Sequence, residues 1–225
     1  MKKISMLFAG LIAATAMQAA PVYNNTTTDT LDTVVFSASS LIEIGDQIHL
    51  AGTERIGNSA KVQFYNVGLE GTFNATLNLY SVVANSPNVG ALLQSFASLN
   101  NAIGGGSTSE VVWSLGGLVL LDDMVFTVTI DSFSSAVDLG LTVFDPPTIG
   151  SSDISFLIVK DSNGFAHGAT GSVHDNVYFL LDASSPNTVP EPGTGGTVIL
   201  AMLWLFAIQA RRKGCTAKVA PVFAL

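Results

Sequence analysis

Few residues in this chain have the types and spacing needed for acid–base or nucleophilic chemistry. Its three histidines are His49, His167 and His174, and no two of them have the four-residue spacing of a helical zinc site. Serines are numerous, so a Ser–His–Asp group can assemble in space, but no Gly-x-Ser-x-Gly turn marks a nucleophile. We expect His49 to lie in an apolar strand and the other two histidines to be solvated loop residues. We therefore predict no catalytic residue and no enzymatic activity.

Carboxylates are the other side chains that could do chemistry, and the pattern places several of them in loops. They are Asp46, Asp122, Asp123, Asp145, Asp153 and Asp161. Loop carboxylates and backbone carbonyls are the ligands that calcium prefers, but no contiguous Asp-x-Asp-x-Asp-Gly loop is present. A structural calcium ion is one alternative, and ordinary charged turns are the other. We expect the turns, and predict no metal ligand and no cofactor.

The charge is distributed unevenly along the chain. All 17 acidic residues lie within residues 29–191, where only Arg55, Lys61 and Lys160 are basic, so three positive charges against seventeen negative leave a net −14. Such a domain repels phosphate backbones, which argues against nucleic acid as a partner. The one cysteine, Cys215, lies beyond this span, so the domain offers no disulfide and no thiol nucleophile.

Between the two ends, short runs of alternating apolar and polar residues predict β-strands. In Thr72–Val83, one face carries Phe73, Ala75, Leu77, Leu79 and Ser81, and the other is polar, as in a half-buried strand. The remaining predicted strands are Thr33–Ala38, Gln47–Ala51, Lys61–Val67, Glu110–Ser114, Val119–Leu121, Met124–Phe133, Val137–Phe144, Ile154–Lys160 and Val177–Leu181. Residues 91–99 fit either a strand or a short helix. Residues 24–28 fit a disordered tract or an edge extension.

Turn-forming residues separate these runs. Examples are Gly57-Asn58-Ser59, Gly104-Gly105-Gly106-Ser107, Asp145-Pro146-Pro147 and Ser162-Asn163-Gly164. About nine or ten short strands without a long amphipathic helix predict an all-β fold, a two-sheet antiparallel β-sandwich of jelly-roll type over residues 20–188. Trp113 is the one tryptophan of that span. We expect it in the core rather than on an exposed glycan-binding platform.

The N-terminus has the parts of a secretory signal peptide. Lys2 and Lys3 precede the apolar segment Ile4–Ala16, and the small residues Ala19 and Ala20 follow it. We predict that residues 1–19 are a signal peptide, cleaved after Ala19, and that the protein is exported.

Three segments follow one another in a fixed order at the C-terminus. Val189-Pro190-Glu191-Pro192 comes first, then 18 uncharged residues at 193–210, then the basic cluster Arg211-Arg212-Lys213. Eighteen helical residues extend about 27 Å, just enough to cross a bilayer, and the basic cluster is expected to stay on the cytoplasmic side. The two prolines favour an extended conformation that a processing enzyme can bind. We predict one transmembrane helix, with residues 20–188 outside the cytoplasm.

This arrangement resembles the PEP-CTERM class of sorting signals. The resemblance covers Val189 to about Gly214 and includes the motif, the transmembrane helix and the basic cluster. In that class the signal is recognised by exosortase, a membrane enzyme, and the protein is passed to the cell surface or to an extracellular polysaccharide matrix. The resemblance therefore implies exosortase and the secretion machinery as partners, and Val189, Pro190, Glu191 and Pro192 as the processing motif. Residues 215–225 extend past the usual end of such signals, as a cytoplasmic tail.

Three functional hypotheses follow from the sequence. The first is a non-enzymatic structural or adhesive protein of the cell surface or of a biofilm matrix, held in the membrane until it is processed. The second is a module that binds extracellular polysaccharide, with or without calcium. The third is a secreted hydrolase, which would need His167 or His174 as its catalytic base.

Overall fold

The computed structural model describes residues 19–36, 42–84, 88–134, 137–152, 157–168 and 176–186. All of them belong to the first of the two units into which the chain divides, which ends at Pro186. Within these ranges the chain forms fourteen strands and no helix. The strands are β1 Ala20–Asn25, β2 Asp29–Val35, β3 Glu43–His49, β4 Ile56–Asn66, β5 Gly71–Val82, β6 Val89–Ile103, β7 Ser107–Ser114, β8 Asp123–Phe133, β9 Leu139–Phe144, β10 Ser151–Ser152, β11 Leu157–Asp161, β12 Gly164–Gly168, β13 Asn176–Val177 and β14 Phe179–Ser184.

The strands form two sheets, in which every pairing between strands is antiparallel. The first sheet runs β1-β14-β4-β9-β13, with β7 paired to β4 and β2 paired to β9. The second sheet runs β12-β11-β3-β8-β5-β6, with β10 paired to β3. The predicted all-β fold with two antiparallel sheets is confirmed. The finer expectation of jelly-roll connectivity stays a prediction.

The core lies between the two sheets and contains apolar side chains from both. Phe126 of the second sheet stacks on Phe179 of the first, with ring centroids 3.8 Å apart and planes 7° from parallel. On β5 the alternation is as predicted: the predicted inner face is buried at Phe73, Ala75, Leu77 and Leu79 and half-buried at Ser81. Each large apolar side chain that is fully buried contributes about 1.5–3 kcal/mol of hydrophobic stabilisation. The two sheets are therefore held face to face mainly by this shared core.

Several uncertain or mistaken predictions are resolved by strand pairing. Residues 91–99 are strand, because they lie inside β6 and pair with β5. Asn24 and Asn25 belong to the edge strand β1, which supports the edge alternative. Residues 119–121 form only a single bridge, between Val119 and Ile56. The predicted turn at residues 57–59 is wrong, since these residues lie within β4 and pair with β14.

Several strands have bounds that differ from those predicted, and others were not predicted at all. Strand β3 begins at Glu43, four residues before the predicted start at Gln47, because its polar residues Glu43 and Asp46 are buried. Strand β12 was not predicted. It pairs with β11 through the turn at Ser162-Asn163, which the sequence did predict.

The predicted terminal segments fall on residues outside those described. These are residues 1–18 of the signal peptide and residues 187–225, which include the motif, the transmembrane helix, the basic cluster and the tail. In the described ranges, no helix has the length and apolar character needed to span a membrane.

Gly45 gives a direct test of how closely β3 and β8 approach. A Cβ atom at this position would lie 1.8 Å from the carbonyl oxygen of Phe126 and 2.6 Å from Cα of Thr127. We expect Gly45→Ala to lower the free energy of unfolding by about 3 kcal/mol or more, since backbone atoms cannot rotate away. Urea denaturation monitored by circular dichroism measures this difference.

Gly104→Ala is the matched control for that variant. Its Cβ atom would meet only the hydroxyl of Ser107, 2.9 Å away, and a hydroxyl can rotate to another position. We expect a change of less than about 1 kcal/mol, in either direction. Equal stability losses in the two variants would contradict the close approach at Gly45.

Candidate functional site

The outer face of the second sheet carries a group of polar and aromatic side chains, here called the Glu43 cluster. It consists of Glu43 on β3, Tyr80 on β5, Thr127 on β8, Lys160 on β11 and Phe165 on β12. Strand register brings these residues together: Glu43 lies beside Lys160, and Lys160 lies beside Phe165. Because side chains alternate along a strand, all five project from the face opposite the core.

The Glu43 carboxylate is the centre of this cluster. Only 4% of the residue is exposed. One carboxylate oxygen accepts hydrogen bonds from the Tyr80 hydroxyl at 2.9 Å and the Thr127 hydroxyl at 2.5 Å, and the other pairs with Nζ of Lys160 at 2.5 Å. A buried carboxylate is tolerated only when its oxygens are satisfied in this way. The arrangement therefore ties β3, β5, β8 and β11 together through one side chain.

Two aromatic rings belong to the Glu43 cluster, one bonded to the carboxylate and one beside Lys160. Tyr80 and Phe165 pack edge to face, with centroids 5.3 Å apart, and Nζ of Lys160 lies 4.9 Å from the centroid of Phe165. Burial raises the pKa of Tyr80, and its hydrogen bond to Glu43 raises that pKa further. The Tyr80 hydroxyl therefore stays protonated and acts as a donor. Phe165 itself is half-buried, so part of its ring faces solvent.

A chain of polar side chains extends the cluster toward β6. Nδ2 of Asn78 donates to the Thr129 hydroxyl at 3.1 Å and to the Glu43 carboxylate at 3.4 Å. The side-chain oxygen Oδ1 of Asn78 accepts a hydrogen bond from the Ser95 hydroxyl at 2.6 Å. Ser95 lies on β6, so the hydrogen bonds reach from β11 to the far edge of the sheet. Side-chain hydrogen bonds thereby link five strands across the outer face.

The first sheet carries a similar group on its outer face, here called the Glu110 cluster. Glu110 on β7 pairs with Nζ of Lys61 at 2.9 Å and accepts a hydrogen bond from the Tyr178 hydroxyl. The bond from Tyr178, and then the pairing with Lys61, lowers the pKa of Glu110. Burial, followed by the bond to Glu110, raises the pKa of Tyr178. Each sheet thus joins a lysine, a glutamate and a tyrosine, although Glu110 is far more exposed than Glu43.

Arg55, Lys61 and Lys160 all form ion pairs with carboxylates. The Arg55 guanidinium pairs with Asp122 at 2.7 Å and donates to the carbonyl oxygens of Ala51, Gly52 and Glu54 at 2.7–3.2 Å. These are the only lysines or arginines in the described part of the chain, which holds fourteen acidic residues. All three cations are therefore paired with carboxylates of the domain itself. The remaining acidic residues, which outnumber them, give the surface a strongly negative charge.

The structure describes two of the three histidines, and each differs in part from its predicted placement. Nδ1 of His49 pairs with Asp123, and the strand register puts Ser151 directly beside His49 on the other side. His49 lies at the exposed end of β3 rather than in an apolar strand interior, and its side chain is 44% exposed. His167 is exposed, as expected, but lies in β12 and not in a loop. His174 falls outside the described residues.

Asp123, His49 and Ser151 therefore form an Asp–His–Ser row across β8, β3 and β10. Within the described residues, no hydrogen bond joins the Ser151 hydroxyl to the His49 ring. Sequence reasoning considered His167 and His174 for a hydrolytic role and missed His49. The pairing of His49 with Asp123 depends on the register of β3 and β8, which spacing along the chain does not reveal.

The carboxylates proposed for calcium are spread over the fold. Asp46 is fully buried within β3, so its placement in a loop was wrong. Asp122 pairs with Arg55, Asp145 accepts a hydrogen bond from Asn176 at 2.8 Å, and Asp161 binds Asn163 in a tight turn. Asp153 is not among the described residues. In the described ranges, no three His, Cys, Asp or Glu side chains come together as a metal-binding group.

Trp113 is 3% exposed and belongs to the core, as predicted. Because it is buried, Trp113 cannot stack on a glycan. The processing motif Val189-Pro190-Glu191-Pro192 and the basic cluster Arg211-Arg212-Lys213 lie outside the described residues. No protein-family model, curated protein or solved structure gives a significant match to this chain.

The two glutamate clusters offer a matched pair of double-mutant cycles. We expect Glu43→Gln and Tyr80→Phe to show a coupling free energy of about 1–2 kcal/mol, because the hydrogen bond joins a charged and a neutral group away from water. The free energies of unfolding of the wild type, both single variants and the double variant give this value.

Glu110→Gln and Tyr178→Phe form the control cycle. The Glu110 side chain is 40% exposed, so solvent screens its interaction, and we expect a coupling below about 1 kcal/mol. A larger coupling in the control cycle than at Glu43 would contradict the assignment of Glu43 as the buried centre of its sheet.

Proposed function

We propose that this chain is an exported, non-enzymatic protein with a structural or adhesive role at the cell surface or in an extracellular matrix. The observation that carries the proposal is the ordered C-terminal arrangement of the Pro-Glu-Pro motif, an uncharged segment of 18 residues and Arg211-Arg212-Lys213. A signal-peptide-like segment at residues 1–19 starts the same chain. Together they resemble an exosortase substrate that is held in the membrane and then released to the surface.

The described domain supports such a role through its internal pairing and its charge. Both outer faces are cross-linked by Lys–Glu–Tyr clusters, and a core shared by both sheets joins them. The strongly acidic surface keeps the domain soluble outside the membrane and repels nucleic acid. A stable, acidic β-sandwich attached to a removable membrane anchor is well suited to a structural or adhesive role.

In this proposal the protein has three successive partners. The secretion machinery exports the N-terminus, the membrane retains the apolar segment at residues 193–210, and exosortase acts near Pro190-Glu191-Pro192. The basic cluster sets the orientation, with the domain outside the cytoplasm. The final location is the cell surface or an extracellular, biofilm-type matrix.

Replacement of Pro190, Glu191 and Pro192 by alanine tests the sorting step. We expect the variant to stay in the membrane at the mass of the signal-cleaved full chain, because the extended substrate motif is lost. The wild type should lose its C-terminal segment. Mass spectrometry of the mature protein from the native host gives both masses and locates both cleavage sites.

The control replaces the neighbouring residues Ser185, Pro186 and Asn187 by alanine. It also removes a proline close to the membrane but leaves the motif intact, so we expect wild-type processing. Equal mature masses for the wild type and the motif variant would show that the segment is a plain anchor.

One observation favours polysaccharide binding as a second candidate. The Glu43 cluster presents the half-buried ring of Phe165 beside the ammonium group of Lys160. An aromatic ring can stack on a sugar, and a neighbouring ammonium group can donate hydrogen bonds to sugar hydroxyl groups. The buried Trp113 cannot supply this contact, so Phe165 is the aromatic ring that would stack on a sugar.

Retention of the mature protein on immobilised matrix polysaccharide tests this candidate. If the face binds glycan, Phe165→Ala should reduce retention about tenfold, corresponding to roughly 1.4 kcal/mol. Phe133→Ala is the control, since Phe133 is an exposed ring (49%) at the end of β8. Equal retention of the two variants, or none for the wild type with and without calcium, would remove polysaccharide binding from consideration.

A further inference from the structure

Strand β6 is the outermost strand on one side of the second sheet. Among the described residues it pairs with β5 alone, so its other edge presents backbone N–H and C=O groups without a strand partner. Register shifts interrupt the β5–β6 pairing on both sides of Gln94–Ser98, and within that stretch the pairing is regular. An incoming strand can therefore pair with these five residues without meeting a bulge.

The sequence around β6 lacks the residues that usually protect a sheet edge. Residues 71–109 contain no Asp, Glu, Lys, Arg or His, although the domain as a whole is strongly acidic. Natural edge strands commonly carry charges, especially lysine, or proline to block pairing. The regular stretch of β6 is Gln-Ser-Phe-Ala-Ser, and exposed leucines lie on either side of it, at Leu92 (53%) and Leu99 (66%).

A groove runs beside this edge. It has a volume of about 400 Å³ and is lined by Gln94 and Phe96 of β6 and by Leu115, Gly116, Gly117 and Leu118 of the segment after β7. Phe96 is opposite the buried Leu77, so it belongs to the inner face of the sheet and packs against the core. A strand added to β6 would direct alternate side chains toward this groove, as in other cases of β-strand addition.

We propose that Gln94–Ser98 is an assembly site at which β6 of a second copy of this chain adds to the sheet, antiparallel and around a two-fold axis. Antiparallel pairing of one strand with itself is self-complementary, so each copy donates and accepts the same hydrogen bonds. Inner-face side chains of the partner strand, including the partner's Phe96, then lie over the groove.

Charge identifies a second copy as the occupant. Two copies of this acidic domain repel each other over most of their surfaces, and the repulsion is least where both present an uncharged strand. A basic partner would instead be drawn to the acidic surfaces away from β6. The inference goes beyond the proposed function, because it concerns contact between copies and does not depend on C-terminal processing.

The length of the site fixes the expected strength. Five paired residues form a small interface, so the complex is weak and depends on a high local concentration. Proteins attached to one surface provide that concentration, because neighbouring copies are confined to two dimensions. The site then joins neighbours on the surface while single copies dominate in dilute solution.

Cysteine cross-linking of the full-length chain in detergent micelles tests the pairing. In a Cys215→Ser background, single cysteines are introduced at each of residues 94–98, and the chain is exposed to mild oxidant. We expect disulfide-linked dimers with a maximum at one position or two adjacent positions, which marks the two-fold axis. Val112→Cys is the control, since Val112 is a similarly exposed (56%) apolar residue on β7 of the other sheet.

A charge variant provides the second measurement. Ala97 is exposed, so Ala97→Lys leaves the core intact, and it brings two lysines close together across the axis. We expect self-association, measured by sedimentation in the same micelles, to weaken about tenfold, and Val112→Lys to leave it unchanged. A dimer held by the membrane segment instead would respond to neither substitution.

Three results of the cross-linking and sedimentation experiments would overturn the proposal. The first is equal cross-linking at β6 and at Val112, the second is no cross-linking at residues 94–98, and the third is self-association that Ala97→Lys does not change. Hydrogen exchange of the amides at residues 94–98 adds a further arm. Protection that rises with protein concentration supports pairing between copies, whereas protection independent of concentration shows that another segment of the same chain covers the edge and contradicts it.

Discussion

A buried carboxylate on the outer face of a sheet constrains every strand around it. Glu43 can be buried because donors reach it from β5, β8 and β11, and an unpaired carboxylate in the same place would be unfavourable by several kcal/mol. A shift of one residue in any of these strands would turn its donor toward the core. Core packing on the inner face and the hydrogen bonds to Glu43 on the outer face therefore require the same strand register.

The outer faces of the two sheets differ in character from the sheet edge at β6. The outer faces are closed by internal pairs, since Lys61 and Lys160 bind glutamates of their own sheets. At β6 the hydrogen bonds from Ser95 end, and uncharged side chains continue to the sheet boundary. Recognition by charge and recognition by strand addition therefore belong to different regions of the domain.

The strands that could be predicted from the sequence are those whose buried residues are apolar and whose exposed residues are polar. Strand β5 was predictable because its inner face is apolar and its outer face is mostly polar. Strand β3 was predicted short because Glu43 and Asp46 are polar and yet buried, and the turn placed at Gly57 failed because pairing on both sides of β4 overrides local preference. The Glu43 cluster was not predictable, since Lys160 lies 117 positions from its partner and only strand register joins them.

The small number of lysines and arginines also affects the susceptibility of the domain to proteases. A trypsin-like enzyme needs lysine or arginine at the bond that it cleaves, and the chain contains neither from residue 62 to residue 159. Lys61 and Lys160 lie in paired strands. Arg55, in the loop between β3 and β4, is fixed by hydrogen bonds to four backbone carbonyl oxygens and by an ion pair with Asp122. Cleavage requires an extended, accessible segment, which none of the three provides in the folded state. The same ion pairs that stabilise the two sheets thus make the folded domain a poor substrate for enzymes of this specificity.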